Sequence, residues 1–135
     1  MEGDKKKNLI VYDDSFLLDM YAFKFSQNNF EVHTVSDGSQ ALDKLKGGLV
    51  PNIILIDVIM PGMDGFEVLQ KVNEENLSPD SIKIILSNKS QQSDIDRGHS
   101  LGVSGYIVKA NSTPAEVIDQ VIEILNATQK IVIPQ

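Results

Sequence analysis

Cysteine is absent, which excludes disulfides, thiol catalysis and thiolate–metal chemistry. Histidine is scarce: His33 and His99 stand at no metal-ligand spacing, and each reads as a surface residue. No apolar run approaches the roughly 18 residues a membrane span needs, so no membrane association is expected. The charged start Met1-Glu2-Gly3-Asp4-Lys5-Lys6-Lys7 precedes an apolar run too short for a signal peptide. Positive charge is in short supply. Twelve Lys and Arg against 19 Asp and Glu leave a net charge of −7, which argues against direct nucleic-acid binding by this domain. The expected location is the cytoplasm. Repeats, low-complexity stretches and internal linkers are also missing, so the 135 residues read as one domain with its own core.

What is present is a strict alternation of apolar strand patterns and helical patterns. Strands are expected at about 8–12, 30–35, 52–57, 82–87 and 104–108, and helices at about 15–27, 38–46, 65–76, 91–101 and 114–127. Five such units predict a doubly wound (βα)5 fold, flavodoxin-like, with a five-stranded parallel sheet in the order 2-1-3-4-5. Residues 1–7 are expected to form a disordered tail or an expression remnant, 8–127 the domain, and 128–135 a C-terminal tail or the start of a linker. The first helix carries Phe16, Leu17, Leu18, Met20, Tyr21, Phe23 and Phe25, more apolar residues than one core-facing stripe holds. It is either a broadly buried helix or a docking surface. The fourth, with few apolar anchors and an internal Gly98, should be the most loosely held.

Charge gathers where strands end. Asn52-Ile53-Ile54-Leu55-Ile56 runs without a polar break into Asp57, which a Pro/Gly loop follows. A strand buried on both faces that delivers a lone carboxylate at its carboxyl end places it where ligands collect in parallel sheets. Asn8-Leu9-Ile10-Val11-Tyr12 ends likewise in Asp13-Asp14. Helix capping accounts for one of this pair but not both. At ~4 Å and an effective dielectric near 20 each like-charge contact costs about 4 kcal/mol, so three converging acids call for a cation or a proton. An oxygen-only set favours a hard ion such as Mg²⁺. Ser87 closes the fourth strand and Lys109 the fifth, bringing a hydroxyl and an ammonium to the same edge.

With these residues assembled, the chain resembles the receiver domain of two-component response regulators, of the chemotaxis-response-regulator type, from about Lys7 to Ala127. Leu55-Ile56-Asp57-Val58-Ile59-Met60-Pro61-Gly62-Met63-Asp64-Gly65-Phe66-Glu67-Val68-Leu69 and Gly102-Val103-Ser104-Gly105-Tyr106-Ile107-Val108-Lys109 carry the resemblance. It implies that Asp57 accepts a phosphoryl group from a kinase phosphohistidine. Asp14 and Asp57, with the backbone carbonyl of Ile59, would bind Mg²⁺ (or Mn²⁺) directly, and Asp13 through water. Lys109 and Ser87 would contact the transferring group, and Ser87 with Tyr106 would form the switch that reshapes the helix 4–strand 5–helix 5 face. A sensor histidine kinase or phosphotransfer protein would dock near helix 1 and the acids. A downstream protein or output domain would use the switching face, and phosphorylation could drive homodimer formation. Such a chain is a phospho-accepting regulator and not an enzyme in the ordinary sense.

Ala110 stands where the family has a cis proline, which leaves the placement of the Lys109 amine open. Ile59, two residues past the acceptor, is bulky and apolar, and slow loss of the phosphoryl group is expected. The alternative is a pseudo-receiver that works as an interaction module without phosphorylation. A flavin carrier on the same fold is disfavoured by Asp13-Asp14-Ser15-Phe16, acidic where a phosphate cradle is needed.

Overall fold

A computed structural model describes residues 5–132. Five strands, β1 (Lys6–Val11), β2 (Phe30–Val35), β3 (Ile53–Ile56), β4 (Ile82–Ser87) and β5 (Gly105–Val108), alternate with five helices. These are α1 (Ser15–Gln27), α2 (Gly38–Lys46), α3 (Gly65–Glu74), α4 (Gln92–Ser100) and α5 (Pro114–Val132). All strand pairs are parallel and the order is β2-β1-β3-β4-β5. The doubly wound, flavodoxin-like (βα)5 sheet expected from the alternation is what the chain forms.

β3 shows why. Its four residues are all buried, and they face two cores in turn. Ile53 and Leu55 join Leu18, Tyr21, Phe25, Val117 and Val121 on the α1–α5 side. Ile54 and Ile56 join Ala41, Leu42, Leu45, Phe66, Leu69 and Val72 on the α2–α3 side. Burying each such side chain contributes about 1.5–3 kcal/mol, so a strand with no polar face is stable only between two helical layers.

At both ends of the chain the elements reach further than the sequence expectation. β1 begins at Lys6, inside the stretch read as a tail, because Lys6 and Lys7 pair with Phe30 and Glu31. Lys7 N–H also donates to Asn52 Oδ1 at 2.7 Å, and its carbonyl accepts from Asn52 N–H at 2.9 Å. Residues 1–4 of the expected tail lie outside the described residues. α5 continues past 127 to Val132, so the helix absorbs the first part of the segment read as tail or linker; residues 133–135 are again outside the described set.

α1 resolves the two readings of its crowded apolar face. Leu18, Tyr21 and Phe25 are buried, whereas Phe16 and Phe23 remain 75% and 63% exposed. α4 buries Gly98 alone, in keeping with its sparse apolar anchors.

Candidate functional site

Because every strand runs the same way, the carboxyl ends of β1, β3, β4 and β5 share one edge of the sheet. Val11 pairs with Ile56, Ile56 with Ile85, and Ser87 with Val108. Asp13-Asp14, Asp57, Ser87 and Lys109 therefore stand at or just beyond that edge.

Asp57 is the centre. It is 6% exposed, and its backbone N–H donates to Val11 carbonyl at 3.1 Å. The Lys109 ammonium lies 3.7 Å from Oδ2 and Ile59 N–H donates to Oδ1 at 3.3 Å. Burial pushes the carboxyl above its ordinary range. The Lys109 ammonium opposes this most, followed by the Ser87 hydroxyl and the backbone N–H groups of Ile59 and Val58. Burial wins, so Asp57 carries a charge that these neighbours do not fully offset.

The start of α3 presses on this residue. Gly65 N–H donates to Val58 carbonyl at 2.9 Å. A Cβ at Gly65 would stand 2.2 Å from the Asp57 carbonyl oxygen, a distance only glycine avoids. Asp64 and Glu67 cap the helix reciprocally at 2.9 Å. The Pro/Gly loop thus returns the chain tightly behind Asp57 and leaves its carboxylate facing the edge.

Asp13 and Asp14 are exposed. Asp14 Oδ1 accepts from Leu17 N–H at 3.1 Å and caps α1, so the capping member of the pair is Asp14. Among the described residues no three His, Cys, Asp or Glu side chains are grouped closely enough to form a metal nest. Like charges repel, and the three carboxylates stand apart. The donor set still suits a hard divalent cation, since it offers only oxygens and includes one buried, under-compensated carboxylate. Asp57, Asp14 and Asp13 are the side chains that could hold it.

Ser87 is fully buried, and its Oγ accepts from Lys89 N–H at 3.2 Å. The carbonyl of the same Lys89 accepts from the Tyr106 hydroxyl at 2.6 Å. Lys89 Nζ lies 3.4 Å from Asp94 in the first turn of α4. Residue 89 therefore joins the hydroxyl near Asp57 to the aromatic of β5 and to α4. Tyr106 is half-buried; burial, with Asp94 and Asp57, pushes its hydroxyl up to about 12. The Lys109–Ala110 bond is trans, and Lys109–Asn111 form a single 3-10 turn.

The five expected residues thus lie at or just beyond one edge, with Lys109 and Asp57 in contact and the two β1 acids exposed. Tyr12 escaped the sequence reading. It is fully buried, donates its hydroxyl to Leu86 carbonyl at 2.5 Å, and presents its ring 4.8 Å from Lys109 Nζ. The available signal was an aromatic with a polar tip immediately before Asp13-Asp14.

Residues 9–122 match the response regulator receiver domain. The chain belongs to that family. It is 33% identical over 129 residues to the probable transcriptional regulator ycf27 of Cyanophora paradoxa, covering 96% of this chain and 52% of that protein. It is 31% identical over 124 residues to the alkaline phosphatase synthesis transcriptional regulatory protein PhoP of Bacillus subtilis, covering 92% and 50%. The receiver thus spans about half the length of these curated relatives. Among solved structures it resembles a CheY-like receiver domain protein of Methanospirillum hungatei, with TM-score 0.83, 25% identity and 94% and 98% coverage of the two chains. It also resembles the chemotaxis protein CheY4 of Vibrio cholerae, with TM-score 0.82, 25% identity and 90% and 99% coverage. Receiver domains of this family are signalling switches of two-component systems and not conventional enzymes, and they typically bind Mg²⁺ at an acidic site. No helix among the described residues is long and apolar enough to cross a membrane.

Proposed function

We propose that this receiver is a phosphorylation-activated switch in which Asp57 is the acceptor. The single observation that carries the reading is a buried carboxylate facing an ammonium 3.7 Å away at the sheet's carboxyl edge. An Asp57 carboxylate oxygen attacks the phosphorus of a phosphohistidine on a sensor kinase or phosphotransfer protein. The P–N bond breaks as the acyl phosphate forms, and the imidazole leaves with the bonding electrons and takes up a proton. Asp14, Asp57 and the Ile59 carbonyl would hold Mg²⁺ (or Mn²⁺), with Asp13 acting through water. When bound, the ion supplies neutralisation of charge on the transferring group. Lys109 pairs with a phosphoryl oxygen and Ser87 donates to another.

The switch runs through residue 89. As Ser87 turns its hydroxyl toward the phosphoryl group, the Lys89 N–H loses its acceptor, and the loop that also holds Tyr106 and Asp94 moves. The α4–β5–α5 face then presents a different surface to a downstream protein or output domain. The names of the curated relatives favour transcriptional control as that output, and exposed Phe16 and Phe23 favour α1 as the kinase's docking site.

Incubation with acetyl phosphate and Mg²⁺ tests the reading. Mass spectrometry should find one added phosphate, absent in Asp57→Asn and after chelation of the ion. A chain left unmodified, or one modified equally in Asp57→Asn, would favour the pseudo-receiver alternative and sink this one.

A further inference from the structure

A lysine ammonium near an acidic site is mobile unless something holds it. Lys109 Nζ is 3.7 Å from Asp57 Oδ2, beyond the 2.7–3.2 Å range of an N–H···O hydrogen bond, so this ion pair alone does not fix it. Its side chain has up to about 2 kcal/mol of rotamer freedom to lose. The second contact is the face of Tyr12, 4.8 Å away.

Tyr12 is itself anchored at three points. Its backbone N–H donates to Val35 carbonyl at 3.2 Å and its hydroxyl reaches past β3 to Leu86 carbonyl at 2.5 Å. Its ring packs against that of Tyr21, with centroids 5.9 Å apart and planes at 52°. Burial, with Asp57, Tyr21 and Asp13 adding to it, pushes the phenol well above its ordinary range, so it stays a donor. A ring held this firmly under a half-buried ammonium exerts a directed attraction, since the cation sits over the negative face of the π system.

We propose that Tyr12 is a positioning residue for phosphoryl transfer: its ring holds the Lys109 ammonium beside Asp57 before the phosphoryl group arrives. The proposal rests on the reading of Asp57 as acceptor. Removing the face frees the ammonium to swing into solvent, and each transfer must then recapture it. The Tyr12 hydroxyl bonds Leu86 carbonyl and none of the carboxylates that would hold the divalent ion, so ion affinity should be left alone.

Three replacements separate the possibilities. Tyr12→Phe keeps the ring and drops the Leu86 hydrogen bond. Tyr12→Leu fills the space without a π face. Pentafluorophenylalanine at position 12 keeps the shape and reverses the charge on the ring face, which preserves the test should Tyr12→Leu fail to fold. With lysine labelled by carbon-13, the Lys109 ε-methylene protons, identified by their loss in Lys109→Arg, should resonate upfield of the other lysines through the ring current. That shift should survive in Tyr12→Phe and vanish in Tyr12→Leu. Phosphorylation from acetyl phosphate at saturating Mg²⁺ should slow about 5- to 30-fold in Tyr12→Leu, the rate equivalent of a ~1–2 kcal/mol cation–π contact. It should slow comparably with the fluorinated ring, with the Mg²⁺ Kd changed less than about twofold. In a Lys109→Ala background Tyr12→Leu should add nothing further.

An unshifted Lys109 methylene in wild type, or the same rate loss with and without Lys109, overturns the assignment. If wild type is labelled at Asp57 and Tyr12→Leu is labelled equally fast, this inference alone falls. If wild type takes no phosphate, the acceptor reading falls and this one with it.

Discussion

Ile59 stands two residues beyond the acceptor, with its backbone N–H on Asp57 Oδ1, and the residue is 56% exposed. An apolar group there offers attacking water no hydrogen bond and occupies space that water would need. Ile59→Asn supplies a donor and an acceptor on a smaller side chain, which also leaves more room for water. The aspartyl phosphate should then decay several-fold faster, as followed by loss of label after the donor is removed; an unaltered decay constant would count against the idea. At this scale the sequence was informative about chemical type and silent about direction. It delivered Asp57, Ser87 and Lys109 to one edge because strand ends of a parallel sheet must meet there. It could not show that Asp14 spends one oxygen on the cap of α1, nor that Tyr12, which reads as the last apolar residue of a strand, aims its ring at Lys109. Both are choices of side-chain rotamer, and a pattern of residue types does not encode them.

α4 is the element on which the proposed switch would depend, and one glycine sets how closely it approaches the sheet. A Cβ at Gly98 would lie 2.9 Å from both Ile85 Cδ1 and the Tyr106 ring. Ile85 is fully buried and cannot yield, so the half-buried Tyr106 would turn outward and release Lys89. Alanine gains about 0.5–1 kcal/mol in a helix interior, which offsets much of the overpacking, and Gly98→Ala should unfold within about 1 kcal/mol of wild type. The displaced hydroxyl should fall from about 12 toward its ordinary value, which is about 10. All three tyrosines lie above the ordinary range in the native chain. A new tyrosinate absorbance step near pH 10, native fold intact, is therefore the expected signature; its absence would refute the mechanism. The helical period placed α4 to within a residue at each end, yet its packing distance follows from Gly98 opposite an aromatic, a long-range pairing invisible to local periodicity.

For the whole molecule, the alternation of patterns was enough to yield the layers, the parallel sheet and the edge where strand ends meet, whereas strand order came only with the flavodoxin-like form of that fold. The ends were harder. The ladder bonds that draw Lys6 and Lys7 into β1 come from Asn52 and β2, well away in sequence, and nothing local stops α5 at 127. The same architecture would keep the proposed capture and output surfaces apart, with Phe16 and Phe23 exposed on α1. Phe16→Ser should lower kcat/KM for phosphoryl transfer from a histidine kinase about tenfold, the scale of a lost interface anchor, while labelling by acetyl phosphate is unchanged. Equal losses with both donors would place Phe16 in the chemistry and not in docking. Finally, the joint at residue 89 meets Ser87 and Tyr106 through main-chain atoms only. Its side chain, by contrast, pairs with Asp94 of α4, so substitutions at position 89 would alter the hold on that helix while sparing both backbone contacts.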